Sequence, residues 1–354
     1  MALLARLLGG AGWRKVLLSL ALGLGSGYLA FVIGMPLPWM LGAMLGNTFA
    51  ALARLPVQGP NGLRLLVVPV IGVMLGSAVS AETFQALGDW SISFLVLGPF
   101  LASAAGGSYL IYRHLGGFDP VTAFFSAMPG GLNEMLILGG AAGGNERRIA
   151  LAHASRILLT IAFVALFFGL VLDVQSGSGN GARWTALGAL GAGDYLILAI
   201  CAALGVPLGR VLRLPAAPML GPMILSAAAH VAGLVELPPP SLLVIGAQVV
   251  LGAIIGCRFI GAALREVGRD LFLSVFSTAG MLATGVGFAW VVASLTETSL
   301  AQAFLAYAPG GLTEMSLLAL AIGGDIAYVS VTHIMRIVMV IFSAPLFFRW
   351  INRG

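Results

Sequence analysis

Pro129-Gly130-Gly131-Leu132-Asn133-Glu134-Met135 places a carboxylate just after a helix-breaking triplet, in the middle of an apolar stretch. The pattern returns as Pro309-Gly310-Gly311-Leu312-Thr313-Glu314-Met315, 180 residues later (309 − 129). A His-x-x-Arg follows each copy, His153 with Arg156 and His333 with Arg336, at the same step. Proline disfavours helix in the residue before it and glycine permits a reversal, so each motif ends one helical arm and starts another near Leu132 or Leu312.

Outward from the motif, the surroundings are a membrane protein's. Of 354 residues 59% are hydrophobic and 9% charged, where soluble domains carry about a quarter charged residues. Long apolar runs separated by short charged clusters fit helical spans rather than the roughly ten-residue alternating strands of a barrel. The fold class expected is all-α, a polytopic transmembrane helical protein. Arg14-Lys15 before Val16–Ile33 resembles the start of a signal peptide, yet no small-x-small cleavage site follows, so the segment reads as a span. The net charge of +5 lies in loop arginines without aromatic interleaving, which speaks for membrane orientation and against nucleic-acid binding. Cys201 and Cys257 stand alone in apolar surroundings and read as packing residues. The four histidines lack carboxylate or cysteine partners at ligand spacing, so neither metal nor cofactor is expected.

The repeat runs the length of the chain. Gly72-x3-Gly76 answers Gly252-x3-Gly256, both reading as packing faces. Pro36 with Met40-Leu41-Gly42 answers Pro215 with Met219-Leu220-Gly221. The division expected is a first repeat over 14–173, a Gly/Ser-rich linker over 174–193 and a second repeat over 194–350.

Lys and Arg in short loops favour the cytoplasm, which puts Arg14, Lys15, Arg54, Arg64 and Arg113 inside and Glu82 with Asp89 outside. A simple crossing by the motif segment would place Arg147 and Arg148 outside, with Arg210, Arg213, Arg258, Arg265 and Arg269. A segment that dips in and returns keeps them all cytoplasmic, puts Asp173 and Asp194 outside, and returns Arg349 and Arg353 to the cytoplasm with both termini. Each half then has about five spans and one re-entrant hairpin; a broken helix that crosses in full is the competing account. An odd number of crossings inverts the second half relative to the first, an arrangement common in secondary transporters.

The candidate substrate or ion site comprises Gly130, Gly131, Asn133, Glu134, His153 and Arg156 with Gly310, Gly311, Thr313, Glu314, His333 and Arg336. Helix N-termini at the hairpin tips attract anions, and irregular backbone at that depth must line a cavity or be buried in protein. Depth along the helix sets Arg156 level with Glu134, so the expected partners are Glu134 with Arg156 and Glu314 with Arg336, either within a repeat or crosswise. The structural alternatives are a self-neutralising pair, or glutamates that merely serve the first helical turn. Asn145 and Asp325 read as helix starts.

With the tandem Pro-Gly-Gly-Leu-x-Glu-Met pair, the following His-x-x-Arg and the Met-Leu-Gly segments, the whole chain resembles the bacterial AbrB family of duplicated inner-membrane proteins. That resemblance imports two labels, regulator of gene expression and ammonia monooxygenase. Neither is supported by these residues: there is no room for a soluble DNA-binding domain, and a copper enzyme's histidine cluster is absent. The expectation is an inner-membrane secondary transporter for a small carboxylate-bearing or zwitterionic solute, coupled to H+ or Na+, with homo-oligomerisation left open. A membrane-embedded sensor that affects gene expression indirectly is the alternative, and an enzyme is disfavoured because no nucleophile or metal accompanies the Glu, His and Arg.

Overall fold

The computed structural model describes residues 12–35, 37–79, 90–171, 184–214, 216–261 and 264–351. Pro36, Pro215, Glu82, Asp89, Asp173, Arg353, most of the linker, and the side chains of Asn133, Arg265 and Arg349 lie outside the described residues.

Fourteen α-helices and no strand are found among the described residues. They are α1 Trp13–Val32, α2 Pro38–Leu52, α3 Arg64–Ser77, α4 Ser91–Leu110, α5 Pro120–Ala127, α6 Leu132–Ala141 and α7 Glu146–Val171. The second half gives α8 Ala192–Val211, α9 Ala217–Val231, α10 Ser241–Gly256, α11 Leu264–Leu295, α12 Leu300–Tyr307, α13 Leu312–Ala321 and α14 Ile326–Ile351. Six stretches among the described residues are long and apolar enough to cross a membrane: Trp13–Val32, Ser91–Leu115, Ala192–Val211, Ser241–Phe259, Gly268–Leu295 and Ile326–Ser343. α2, α3 and α9 have 15, 14 and 15 residues, or about 22 Å at 1.5 Å per residue, short of a hydrocarbon core of about 30 Å. They are shorter than the spans the apolar runs suggest, because α2 is bounded by proline before and a left-handed Arg54 after.

The helices fall into two compact units, one of 1–85, 164–262 and 316–326, the other of 86–163, 263–315 and 327–354. Each unit draws on both halves of the sequence. In the first, α3 packs against α9 of the other half, and α10 against α2. Glycines make this possible: a Cβ on Gly72 or Gly76 would overlap the carbonyl of Met219 or Met223, and one on Gly252 or Gly256 that of Met40 or Met44. The Gly-x3-Gly faces therefore seat on the Met-Leu-Gly segments of the opposite repeat, backbone on backbone, where close approach substitutes for an apolar driving force that lipid cannot supply. Cys201 packs with Val73, Leu198 and Ala229, as a buried thiol usually does.

In the second unit α4 and α11, which correspond in the two halves, run antiparallel. Phe100 meets Phe288 with ring centroids 5.8 Å apart, Ser108 bonds Ser277, and the Tyr112 hydroxyl donates to Ser274 at 3.3 Å. Contacts thus ascend one helix while descending the other. Segment 120–145 doubles back: the Asn145 amide, at the end of the second arm, donates to Thr122 Oγ1 at the start of the first, at 2.8 Å. Gly139 lets the returning arm approach Phe125 closely.

Candidate functional site

Each hairpin is built by local rules. Asp119 caps α5, accepting from the Thr122 amide at 2.9 Å, and Pro120 fills the first helical position, where a missing N–H costs nothing. Burial pushes the Asp119 carboxyl up, but the hydrogen bonds from Thr122 and Val121 outweigh it and hold the group below its ordinary value. Pro129 forces Met128 into extended backbone (φ −62°, ψ 125°), which stops the arm, and Ala308 before Pro309 does the same (φ −54°, ψ 135°). The arms resume at Leu132 and Leu312.

A helix that stops leaves its last carbonyls without amide partners. Two buried arginines supply them. Arg156 Nη1 donates to the Met128 carbonyl at 2.9 Å, and Nη2 donates to the Gly130 carbonyl at 3.4 Å and to His153 Nδ1 at 2.9 Å. Because Nδ1 accepts, the proton of His153 sits on Nε2 and is donated to the Phe125 carbonyl at 2.8 Å. Arg336 repeats the grip more tightly, to the Ala308 carbonyl at 2.6 Å and the Gly310 carbonyl at 2.7 Å. His333 differs from its counterpart: its Nδ1 donates to the Val329 carbonyl of its own helix at 3.0 Å.

The glutamates lie elsewhere than expected. Both fold back over the start of their own arm, so that a Cβ on Gly131 would overlap a Glu134 carboxylate oxygen and one on Gly311 a Glu314 oxygen. A Cβ on Gly130 would press on the β-branched Val340, whereas one on Gly310 would meet the flexible Met315. The expected pairing of Glu134 with Arg156 and of Glu314 with Arg336 is not formed: among the described residues the hydrogen bonds of both arginines go to carbonyls and His153. First-turn amides attract each carboxylate to its own helix start, while the broken arm's carbonyls take the cation. Glu134 is exposed and Glu314 buried. Thr313 is half-buried on α13, and Asn133 lies on α6.

The charges of the site are two guanidinium groups, 4% and 3% exposed; Val340, one turn past Arg336, meets Gly130, whose carbonyl Arg156 holds. Nε of each arginine is buried and has no hydrogen-bond partner among the described residues. Tyr112 lies within electrostatic reach of Arg156. Among the described residues no three His, Cys, Asp or Glu side chains gather as a metal site.

Sequence reasoning missed Tyr112, Tyr307, Tyr328 and Thr160. Tyr112, just past the end of α4, and its serine neighbours on α11 lie away from the motif. Tyr307 and Tyr328 both bond Ser93, through its carbonyl at 2.5 Å and its hydroxyl at 2.9 Å. Thr160, four residues beyond Arg156, is fully buried; a lone hydroxyl one turn from a buried charge was the available signal.

The family described as "Transition state regulatory protein AbrB" matches residues 39–352. The chain belongs to the AbrB family. It is 27% identical to YhjN of Bacillus subtilis (strain 168), a protein whose name calls it uncharacterized, over 96% of this chain and 93% of that one. It is 24% identical to the candidate regulator AbrB of Escherichia coli (strain K12), over 94% of each chain. The sequence resemblance drawn from the paired motifs is thereby established for this AbrB-family chain.

Proposed function

We propose that this AbrB-family protein is a secondary transporter of the bacterial inner membrane that carries a small anionic solute by alternating access between two inverted repeats. The observation that carries the reading is the pair of buried arginines, one per repeat, each holding the tip of a broken hairpin and bonded to no carboxylate among the described residues. Burying like charges together is costly unless something neutralises them, and a transported anion does so. Broken hairpins beside those arginines provide the irregular backbone that such sites use.

Inversion is supported by the antiparallel run of α4 and α11. It is supported again by α14, which meets the first hairpin at Val340 near its tip and at Phe348 beside Phe124 and Phe125, partway down its first arm. α14 thus descends the hairpin that α7 ascends from Asn145 to Arg156. In this reading both termini are cytoplasmic, a proton or sodium gradient drives the cycle, and the regulatory wording of the relatives' names reflects movement of a signalling metabolite.

The test is uptake into liposomes holding the purified protein, over a panel of small carboxylates with and without proton or sodium gradients. Arg156→Gln and Arg336→Gln should each cut uptake at least ~10-fold, the loss of one charge-assisted bond. Folded variants that transport like the parent would refute the site. Leu115 and Leu295 are equivalent exposed positions; as single cysteines in a background without Cys201 and Cys257 they should label from opposite faces of the membrane. Labelling from one face would end the inverted reading.

A further inference from the structure

In each arginine the Nε–H is a donor still unmet. Nη1 and Nη2 of each bond the hairpin carbonyls, whereas Nε of Arg156 and Nε of Arg336 are buried and meet no partner among the described residues. An unmet charged donor in a protein interior costs more than an unmet neutral one and calls for a partner.

A third unmet donor lies one helical turn from Arg156. Thr160 is 0% exposed and its hydroxyl has no partner among the described residues. It stands four residues after Arg156 in α7, hence one turn on along the same helix face. Its counterpart at the 180-residue step is Val340, whose methyl meets Gly130 at the tip of the first hairpin. One repeat offers a methyl at this position and the other a hydroxyl, so a ligand near the tips is not read symmetrically.

We propose that Nε–H of Arg156, Nε–H of Arg336 and the hydroxyl of Thr160 together bind one carboxylate group, an oxygen to each arginine and the third bond from Thr160 to the oxygen on the Arg156 side. A carboxylate has about four lone-pair sites on two oxygens and accommodates three donors. It bridges two cations that otherwise repel. One carboxylate against two guanidinium charges leaves a positive excess, so a dicarboxylate binds more tightly than a monocarboxylate. The assignment rests on the reading of this site as the place where a transported anion sits, and adds the donor set and the specificity residue.

The experiment follows the arginine Nε–H signals of the full chain, ¹⁵N-labelled at arginine in lipid nanodiscs and assigned with Arg156→Lys and Arg336→Lys. Sodium acetate and sodium succinate are titrated against sodium chloride at equal ionic strength. Both signals should move with one shared midpoint, lower for succinate than acetate, and chloride should leave them in place. Thr160→Val should raise the midpoint ~10-fold, the worth of one hydrogen bond, and Thr160→Ser should restore it; an unchanged melting temperature separates this from misfolding. Separate midpoints for the two arginines, an equal response to chloride, or parent-like titration of Thr160→Val overturns the inference. Arginine-dependent carboxylate uptake alongside parent-like Thr160→Val leaves the transport reading standing and removes only this site. No shift and no uptake with either carboxylate removes both.

Discussion

Arg148 Nε lies 3.5 Å from the Asp270 carboxylate, and 180 residues away in the repeat the same two positions are Tyr328 and Trp90, stacked edge to face at 5.6 Å. One contact between helix starts is thus ionic in one copy and aromatic in the other. Arg148 also lies over the Phe118 ring at 4.7 Å.

The two versions should differ in kind as well as size. The Arg148 side chain is 43% exposed, so a double-mutant cycle of Arg148→Gln with Asp270→Asn should give a coupling of only about 0.3–1 kcal/mol, fading in high salt. Trp90 is 4% exposed, and Trp90→Ala should cost about 3–5 kcal/mol with no salt dependence. Chemical unfolding in mild detergent at low and high salt measures both; a salt-insensitive coupling at Arg148 would mean the cation–π contact with Phe118 dominates instead.

The grip of the arginines on the hairpins predicts that charge alone is insufficient. Arg336 reaches two carbonyls at 2.6 and 2.7 Å from the two arms of one planar fork, a geometry a lysine ammonium cannot reproduce. Arg336→Lys should lower stability by about 1–3 kcal/mol, the cost of a buried carbonyl left unmet. Arg156→Lys should cost less, because its bond to Gly130 is already long at 3.4 Å. Equal thermal shifts for the two would contradict the ranking.

The hairpin was legible because proline dictates the conformation of its predecessor whatever surrounds it, and the starts at Leu132 and Leu312 fell where Gly-Gly permits them. The partner of the arginine was not, because depth along a helix sets a level and leaves several acceptors open. Counting the carbonyls freed at Met128 and Ala308 would have found it, since a long cation at that level is their natural donor. Nor does sequence say which of two equivalent helices a Gly-x3-Gly face will choose. α3 seats on α9 of the other repeat, a choice made by shape across 147 residues (219 − 72) of chain.

That packing separates glycines that must be glycine from those that need not be. Gly72→Ala and Gly252→Ala put a Cβ into a backbone carbonyl, and a backbone cannot yield as a side chain can, so both should fall in the range of about 1–3 kcal/mol or beyond, with low yields of folded protein. Gly25, Gly106 and Gly287 have open space at the same point. Alanine there should be neutral or stabilising by up to about 1 kcal/mol, the gain in helix propensity. Melting temperatures of the five variants in one detergent would show whether the two sets separate.

Arg54 and Arg213 pose the reverse problem. Both have left-handed backbone, φ 60° and 53°, just past a helix end, and at the 179-residue step that relates this part of the repeat their counterparts are Gly233 and Gly34, with φ 69° and 75°. Left-handed backbone costs a side-chain-bearing residue roughly 1–2 kcal/mol that glycine avoids. In each repeat, then, one helix end uses the comfortable residue and the equivalent end keeps a strained arginine. Under the proposed topology both arginines lie on the cytoplasmic side and both glycines on the other, so the strain is retained for the positive charge that orients the helices. Arg54→Gly and Arg213→Gly should therefore raise the melting temperature of correctly inserted protein while increasing the fraction inserted the wrong way round. Arg54→Lys and Arg213→Lys should change neither. Labelling of the Leu115 cysteine from both faces in the double glycine variant reports the misorientation; uniform labelling from one face, with stability raised, would show that the arginines are kept for some other contact.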